Sequence, residues 1–457
     1  MAFTFERALH QKQLPLKLDE RRTTAPLSVN PMRLAHRSTR SKSRGVVGTD
    51  NRTTVTNPTS SLYAPIGRIS ARWKGHDGKL YTDDDYISMS SGTLISNYHV
   101  LTAAHCFYNK DRGGFADAID FIPGSSGKVI NKRSTEDAHP ADNEYYGRAK
   151  MTYMRTFSAY TNNANWNFDS KKLVGQQWKE KDAAWDYDMG VLTLDRNVGK
   201  LTSSYGYGYD AGFKAGKVVN VAGYPSDLMK DATGNYVNRN MFTQSGKITS
   251  VKLNQLDSTD LDYSPGNSGG PVWAGNKTIY GVVSSENNST KINEATRITA
   301  EKFNAIKDWI KQDDSIRKPI DKPDLTDYAW WFNKSIGGFI VNGSGTATAA
   351  YVGQSFHTNL WVQNIGTAAA ANFSVNFYLS TDADVTNSTG SHYALGTASG
   401  LSASPSQYAL AAANSTVPNV PSGTYYVVAF IDPTNSIIEY DDRIASNQKV
   451  YGTLTVF

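Results

Sequence analysis

Cysteine is almost missing from this chain: Cys106 is the only one among 457 residues. A lone thiol excludes an intrachain disulfide, so packing must hold the fold, and a buried free thiol is the expectation for Cys106. Long apolar runs are missing as well. No window approaches the 18 or so apolar residues of a membrane-spanning helix, and none is expected. The first thirty residues lack the apolar core of a secretory signal, because Leu14, Leu16 and Leu18 alternate with Pro and Lys. Positive charge is scarce at the other end. Residues 323–457 hold three Lys or Arg against eight Asp or Glu, a net of −5, whereas residues 1–45 hold ten against three, a net of +7. Nucleic-acid binding by the basic end would call for interleaved aromatics or a binding motif, and neither is there.

What is present suggests several domains, since one core rarely serves so long a chain. Residues 1–45 are basic and poor in large apolar residues, with Arg21-Arg22 and Arg37 to Arg44 open to cleavage; they read as a pro-segment. From 46 to 312, short apolar runs alternate with Gly, Asn and Asp turns. Strands are expected near 92–96, 99–104, 189–194, 218–222, 242–251 and 279–284. Residues 299–312 differ. Phe303, Ile306 and Ile310 recur at helical spacing behind Thr299 as an N-cap, which predicts a helix closing an all-β domain. Residues 313–322 are a charged, proline-bearing linker. After it, Ala, Ser, Thr and Asn dominate, and runs at 356–363, 373–379, 408–413, 424–431 and 450–456 predict a β-sandwich of seven or so strands over 323–457.

Three segments carry chemistry. Residues 264–271 read Ser-Pro-Gly-Asn-Ser-Gly-Gly-Pro, which exposes the Ser268 hydroxyl on a tight turn and frees the N–H groups of Gly266 and Ser268 for an oxyanion. Leu-Thr-Ala-Ala-His-Cys at 101–106 supplies His105, and Asp-Met-Gly-Val-Leu at 188–192 supplies Asp188. A serine hydroxyl is unreactive until a base takes its proton, and a buried carboxylate holds that base in one tautomer. Asp186 competes for the carboxylate role, but only Asp188 leads directly into an apolar run. His76, His99 and His139 have no such context and read as surface or packing residues. The set predicts peptide-bond hydrolysis through an acyl-enzyme, on protein or peptide substrates, with no cofactor required.

These segments resemble the chymotrypsin-fold serine peptidases. Gly48-Thr-Asp-Asn-Arg52 and Tyr63-Ala-Pro-Ile-Gly67 are similar to the bacterial branch that includes glutamyl endopeptidases. The resemblance spans 46–312 and implies two antiparallel six-stranded barrels with the His105, Asp188 and Ser268 triad between them, and oxyanion donors at Gly266 and Ser268. It also implies a substrate pocket lined by Asp262, Tyr263, Val283, Ser284 and Glu286. Asp262 stands six residues before the nucleophile, where trypsin-like relatives keep the acid that binds Lys or Arg. Glutamyl relatives place a threonine where Tyr263 stands and a histidine where Val283 stands. On that ground the expected preference is for Lys or Arg before the scissile bond, with glutamate as the alternative. Self-release at Arg44-Gly45-Val46 would follow from a preference for arginine.

The C-terminal part resembles the bacterial CARDB module, through Val362-Gln-Asn-Ile-Gly366, Phe377-Tyr-Leu-Ser-Thr-Asp382 and Gly423 to Asp432. That implies an Ig-like accessory domain and contact with a cell surface or extracellular polymer. The pairing implies an extracellular or surface location. Asp382, Asp384, Asp432, Glu439, Asp441 and Asp442 offer hard oxygens to calcium, but their spacing matches no defined loop. The rival from another class is an adhesion protein whose peptidase fold is idle.

Overall fold

The computed structural model describes residues 46–80, 82, 84–126, 145–163, 184–228, 240–287, 291–316, 318–327, 337–345, 347–386, 388–440 and 447–457. The basic segment 1–45, His139, Asp441 and Asp442 lie outside these residues.

Six strands close into an antiparallel barrel. Around it run Ile66–Trp73, Tyr86–Leu94, His99–Thr102, Gly190–Leu194, Ala149–Thr156 and Ala118–Pro123, which returns to the first. Every residue of His99–Thr102 and of Gly190–Leu194 is buried. One face of each strand fills the barrel. The other face of Gly190–Leu194 lies under the helix Ala300–Ile316, while Val218–Gly223 from the second half packs against Ile66–Trp73 and Tyr86–Leu94. Strands dry on both sides read as continuous apolar runs rather than alternating ones.

The second half departs from the expected six-stranded barrel. It is an open sheet of nine strands: Thr53–Thr54, Phe242–Lys247, Val218–Gly223, Pro271–Ala274, Thr278–Asn287, Ile292–Arg297, Gln255–Ser258 and Ser250–Val251 in order, with Gly206–Tyr207 parallel to Thr278–Asn287. The physical reason lies at its edges. The amino-terminal segment takes one edge, pairing Thr53 with Thr243, and the hairpin of Ser250–Val251 with Gln255–Ser258 takes the other. Edges that are already paired do not pair with each other.

The helix Ala300–Ile316 forms as its spacing predicts, and Thr299 Oγ1 accepts the Lys302 amide at 3.3 Å as its N-cap. Its buried stripe is Lys302, Ile306, Trp309 and Asp313, so two of the four are charged. Asp313 answers to a buried arginine on the barrel. Its carboxylate takes Arg155 Nε at 3.1 Å, Arg155 Nη2 at 2.7 Å and Thr193 Oγ1 at 2.7 Å. Lys302 reaches Asn254 Oδ1 at 2.8 Å, and Asn254 in turn donates to Asp186 Oδ2 at 3.1 Å.

Beyond residue 324, two sheets of four and five strands enclose a separate core that includes Phe356, Phe373, Phe377, Leu379, Val427 and Leu454. This module rests on the barrel through one buried arginine. Arg196 Nη1 donates to Arg148 O at 2.9 Å, Nη2 donates to Ile365 O at 3.0 Å, and the guanidinium lies 3.2 Å from the Asp324 carboxylate. The Tyr440 ring covers it at 4.6 Å. Asn197 and Lys200 beside it hold Asp321 of the connecting segment.

Candidate active site

His105 sits in a single 3-10 turn, Ala104–Cys106, directly after the barrel strand His99–Thr102. Asp188 immediately precedes Met189 and the strand Gly190–Leu194, which pairs with His99–Thr102. That pairing brings the two residues together from 83 positions apart. Asp188 Oδ2 lies 2.7 Å from His105 Nδ1, and Oδ1 accepts the His105 amide at 2.9 Å. The carboxylate is fully buried, while the His105 side chain is 20% exposed. One anion therefore fixes both the backbone and the ring of the histidine. Trp185 stands edge-on to the imidazole at 5.9 Å. Asp186 points elsewhere, to Asn254.

The Ser268 turn reaches the same place from the second half. Ser91 N, on the barrel, donates to Ser268 O at 2.8 Å, and Thr102 Oγ1 donates to Ser91 O at 2.7 Å. Gly269 lies in the left-handed region (φ 80°), and a Cβ there would fall 2.0 Å from Thr102 Oγ1. Only glycine allows so close an approach. Gly266 is also left-handed (φ 102°), with Tyr224 O where a Cβ would sit. The turn is closed by Asn267 N to Ser264 O at 2.9 Å and Gly270 N to Asn267 O at 2.8 Å. The amides of Gly266 and Ser268 find no acceptor among the described residues, which leaves two donors beside a half-buried hydroxyl. The described hydrogen bonds do not include one from Ser268 Oγ to His105, a contact that often tightens only with substrate.

Four of the expected pocket residues have described side chains. Asp262 is buried, and both carboxylate oxygens are spent on backbone amides, Val47 N at 2.9 Å and Asn51 N at 3.1 Å. Tyr263 and Val283 are buried in the second core cluster with Val221, Leu256 and Val272. Burial there pushes the Tyr263 phenol above its ordinary range. Ser284 Oγ donates to Asp188 Oδ2 at 2.5 Å, so its hydroxyl serves the buried acid. Glu286 pairs with Asn293 through the backbone, and its side chain lies outside the described atoms. Cys106 is buried and free, its thiol pushed up to about 12 by burial.

Two groups beside the Ser268 turn carry no signal in residue type alone. Ser91 Oγ donates to Gly266 O at 2.7 Å and accepts Tyr224 N at 2.9 Å. Arg52, Asp227 and Ser264 form a cluster behind the turn, with Arg52 and Ser264 buried and Asp227 partly exposed. Arg52 belongs to the Gly48 to Arg52 stretch, whose role spacing does not reveal.

Residues 75–310, just over half of the chain, match the family profile described as Trypsin. The chain belongs to the trypsin family. Residues 338–448 match the CARDB profile. Over 282 residues the chain is 24% identical to a glutamyl endopeptidase of Bacillus licheniformis, covering 58% of this chain and 69% of that protein. It is 25% identical over 271 residues to a Bacillus subtilis protein named extracellular metalloprotease, covering 58% and 70%. Among solved structures, a Glu endopeptidase in complex with MPD aligns at 24% identity with a TM-score of 0.43, covering 58% of this chain and 99% of that one. The chain is thus a trypsin-family serine peptidase resembling glutamyl endopeptidase, followed by a CARDB-like domain.

The likeness to glutamyl endopeptidase overturns the expected preference for Lys or Arg. The physical ground is Asp262: it is turned to the amino-terminal segment and holds two amides there, so it is no base for a cationic side chain.

Among the described residues, no group of three or more His, Cys, Asp or Glu is placed to hold a metal. Three of the described acids offered to calcium bind their own chain. Asp384 accepts Thr386 and Gln448, Asp432 accepts Ser436 and the Ile437 amide, and Glu439 accepts the Leu325 amide. No described helix is long and apolar enough to cross a membrane.

Proposed function

We propose that this trypsin-family chain is an endopeptidase that cuts peptide bonds after acidic residues. Ser268 attacks the carbonyl, His105 takes the hydroxyl proton and passes it to the leaving amine, and Asp188 orients the ring and stabilises its charged form. The amides of Gly266 and Ser268 receive the oxyanion. Water then attacks the acyl-enzyme through the same histidine. The observation that carries the reading is the 2.7 Å contact between the fully buried Asp188 and the partly exposed His105, with the Ser268 turn tied to the same barrel edge. Acidic preference is supported by the likeness to glutamyl endopeptidase and by the engagement of Asp262 away from substrate.

In the same reading, residues 1–45 are a removable pro-segment, the peptidase runs from 46 past the expected end at 312 to the end of its helix at Ile316, the connection follows up to 322, and 323–457 are the accessory domain. The match of 338–448 to CARDB supports action outside the cell or at its surface, with the domain contacting a surface or polymer.

Cleavage-site profiling of a mixed peptide library tests this, with Ser268→Ala as control. Cuts after Glu or Asp that vanish in the control are expected. Cuts spread over neutral residues would refute the acidic preference, and intact peptides with no fluorophosphonate labelling would refute the enzyme reading in favour of an idle fold.

A further inference from the structure

Behind the turn that carries Ser268 lies a buried guanidinium with no place in the reaction above. Arg52 has a side chain 1% exposed. Its Nε and Nη2 grip Asp50 at 2.9 and 2.7 Å, and Nη1 and Nη2 grip Asp227 at 3.1 and 2.8 Å. Nη1 also donates to Ser264 Oγ at 2.8 Å, and that hydroxyl donates onward to Asp227 Oδ1 at 2.5 Å. Burial opposes the charge, but the two aspartates hold the guanidinium above its ordinary range.

Three segments distant in sequence meet on this group. Ser264 is the first residue of the turn whose Asn267 amide closes on Ser264 O. Asp227 follows Ser226, whose amide donates to Pro265 O at 2.7 Å. Tyr224, just before them, presents its carbonyl to Gly266 at the distance only a glycine permits. The third segment is the amino-terminal edge, held by Asp262 at Val47 N and Asn51 N and by pairing of Thr53 with Thr243. Arg52 is thus the one cation cross-linking the edge, the 224–227 loop and the start of the nucleophile turn, among the described residues.

Resting on the reading of Ser268 as nucleophile, we infer that Arg52 is a positioning residue for the reaction, locking the 264–268 turn so that the Gly266 and Ser268 amides face the oxyanion. A forked guanidinium suits this role. It satisfies two carboxylates and a hydroxyl at once, which a lysine ammonium does not do with the same geometry. A displacement of about 1 Å in such a turn lowers a rate by about 10²-fold.

The test is the rate of fluorophosphonate labelling of Ser268, per folded molecule, in the mature full chain, with folded fraction taken from circular dichroism. Arg52→Met and Arg52→Lys are both expected to label about 10²-fold more slowly. Ser264→Ala, which removes one hydroxyl and leaves the charges paired, is expected to slow labelling by about 10-fold. Asp227→Asn added to Arg52→Met is expected to cause little further loss, since the residues act as one unit. Should Arg52→Met fail to fold, Ser264→Ala and Arg52→Lys decide. Wild-type labelling rates per folded molecule in those two variants would overturn the proposal and leave Arg52 a purely structural residue. Failure of the wild-type protein to label would instead overturn the reading of Ser268.

Discussion

Replacing Asp313 with alanine should cripple the stability of the peptidase part without touching its chemistry. The carboxylate is fully buried and accepts Arg155 Nε and Nη2 and Thr193 Oγ1, with His99 Nε2 4.0 Å away. Arg155 is itself 2% exposed in its side chain, so truncation takes two hydrogen bonds and the paired charge from a guanidinium in the interior. Breaking one side of such a pair typically costs about 3–5 kcal/mol, because the remaining charge has lost its partner but not its burial. For a domain of this size that is a fall of about 10 °C in melting temperature. The adjacent Asp314 provides the control. It is exposed and bonded to Tyr98 Oη, so Asp314→Ala should cost no more than about 1 kcal/mol. Urea unfolding followed by tryptophan fluorescence reads both. The double variant Arg155→Met with Asp313→Leu should recover most of the loss, because it removes the buried charge along with its partner. If Asp313→Ala falls within about 1 kcal/mol of Asp314→Ala, the helix Ala300–Ile316 is held by its apolar stripe and the ion-pair reasoning is wrong.

Three further outcomes follow from other contacts. Asp188→Asn should lower turnover by about 10⁴-fold while leaving melting nearly unchanged, because an amide allows the wrong tautomer at His105 Nδ1; steady-state kinetics on an acidic peptide reads this. Lys302 is held down to about 8 by burial, against the pull of Asp186 and Glu301. The unfolded chain therefore keeps a proton there that the fold has lost between about pH 8 and 10.5, and stability should rise by ~3 kcal/mol across that window. Lys302→Met should abolish that rise in urea midpoints taken at steps of pH, and an unchanged slope would point to another group. Arg196→Ala should free the CARDB-like module from the barrel, seen as faster proteolysis of residues 318–322 and a larger radius of gyration, since Asp324, Ile365 O and the Tyr440 ring all lose their shared partner.

Much of the fold is legible because its signals are local. Thr299 caps and Ile306 packs where a period of 3.6 places them, and the sandwich strands Ala370–Ser380 and Gly423–Ile431 alternate visibly. Ile66–Trp73 is harder to see. Arg68, Ser70 and Arg72 alternate with Ile69, Ala71 and Trp73, yet nearly all of it is buried, so the alternation misleads by marking the polar side as solvent-facing. His392–Ala403 hides for another reason: glycines at positive φ and register shifts against Ala370–Ser380 break its period. The open second sheet is invisible for a third. Whether a sheet closes depends on what occupies its edges, and here one edge is taken by Thr53, far upstream in the chain, and the other by the local hairpin at Ser250.

The site divides along the same line. His105, Asp188 and Ser268 are legible as candidates because each proposed role demands one residue type next to a recognisable strand or glycine turn. Specificity makes no such demand. Asp262 sits at the right distance before the nucleophile for a cation-binding acid, and position alone says nothing of where its oxygens turn. They turn to Val47 and Asn51, residues more than two hundred positions upstream. Ser284 illustrates the converse: it lies on the expected pocket strand, but its hydroxyl points at Asp188. A wall residue is defined by its rotamer and its partner. The partners of Asp262 lie on the amino-terminal edge, where the motif ending in Arg52 acquires a physical meaning only once the fold brings it beneath Ser264. If that edge sets the wall of the pocket, substitutions at Asp50, Asn51 or Arg52 should alter residue preference and turnover together, whereas changes at the rim of the cleft should alter preference alone.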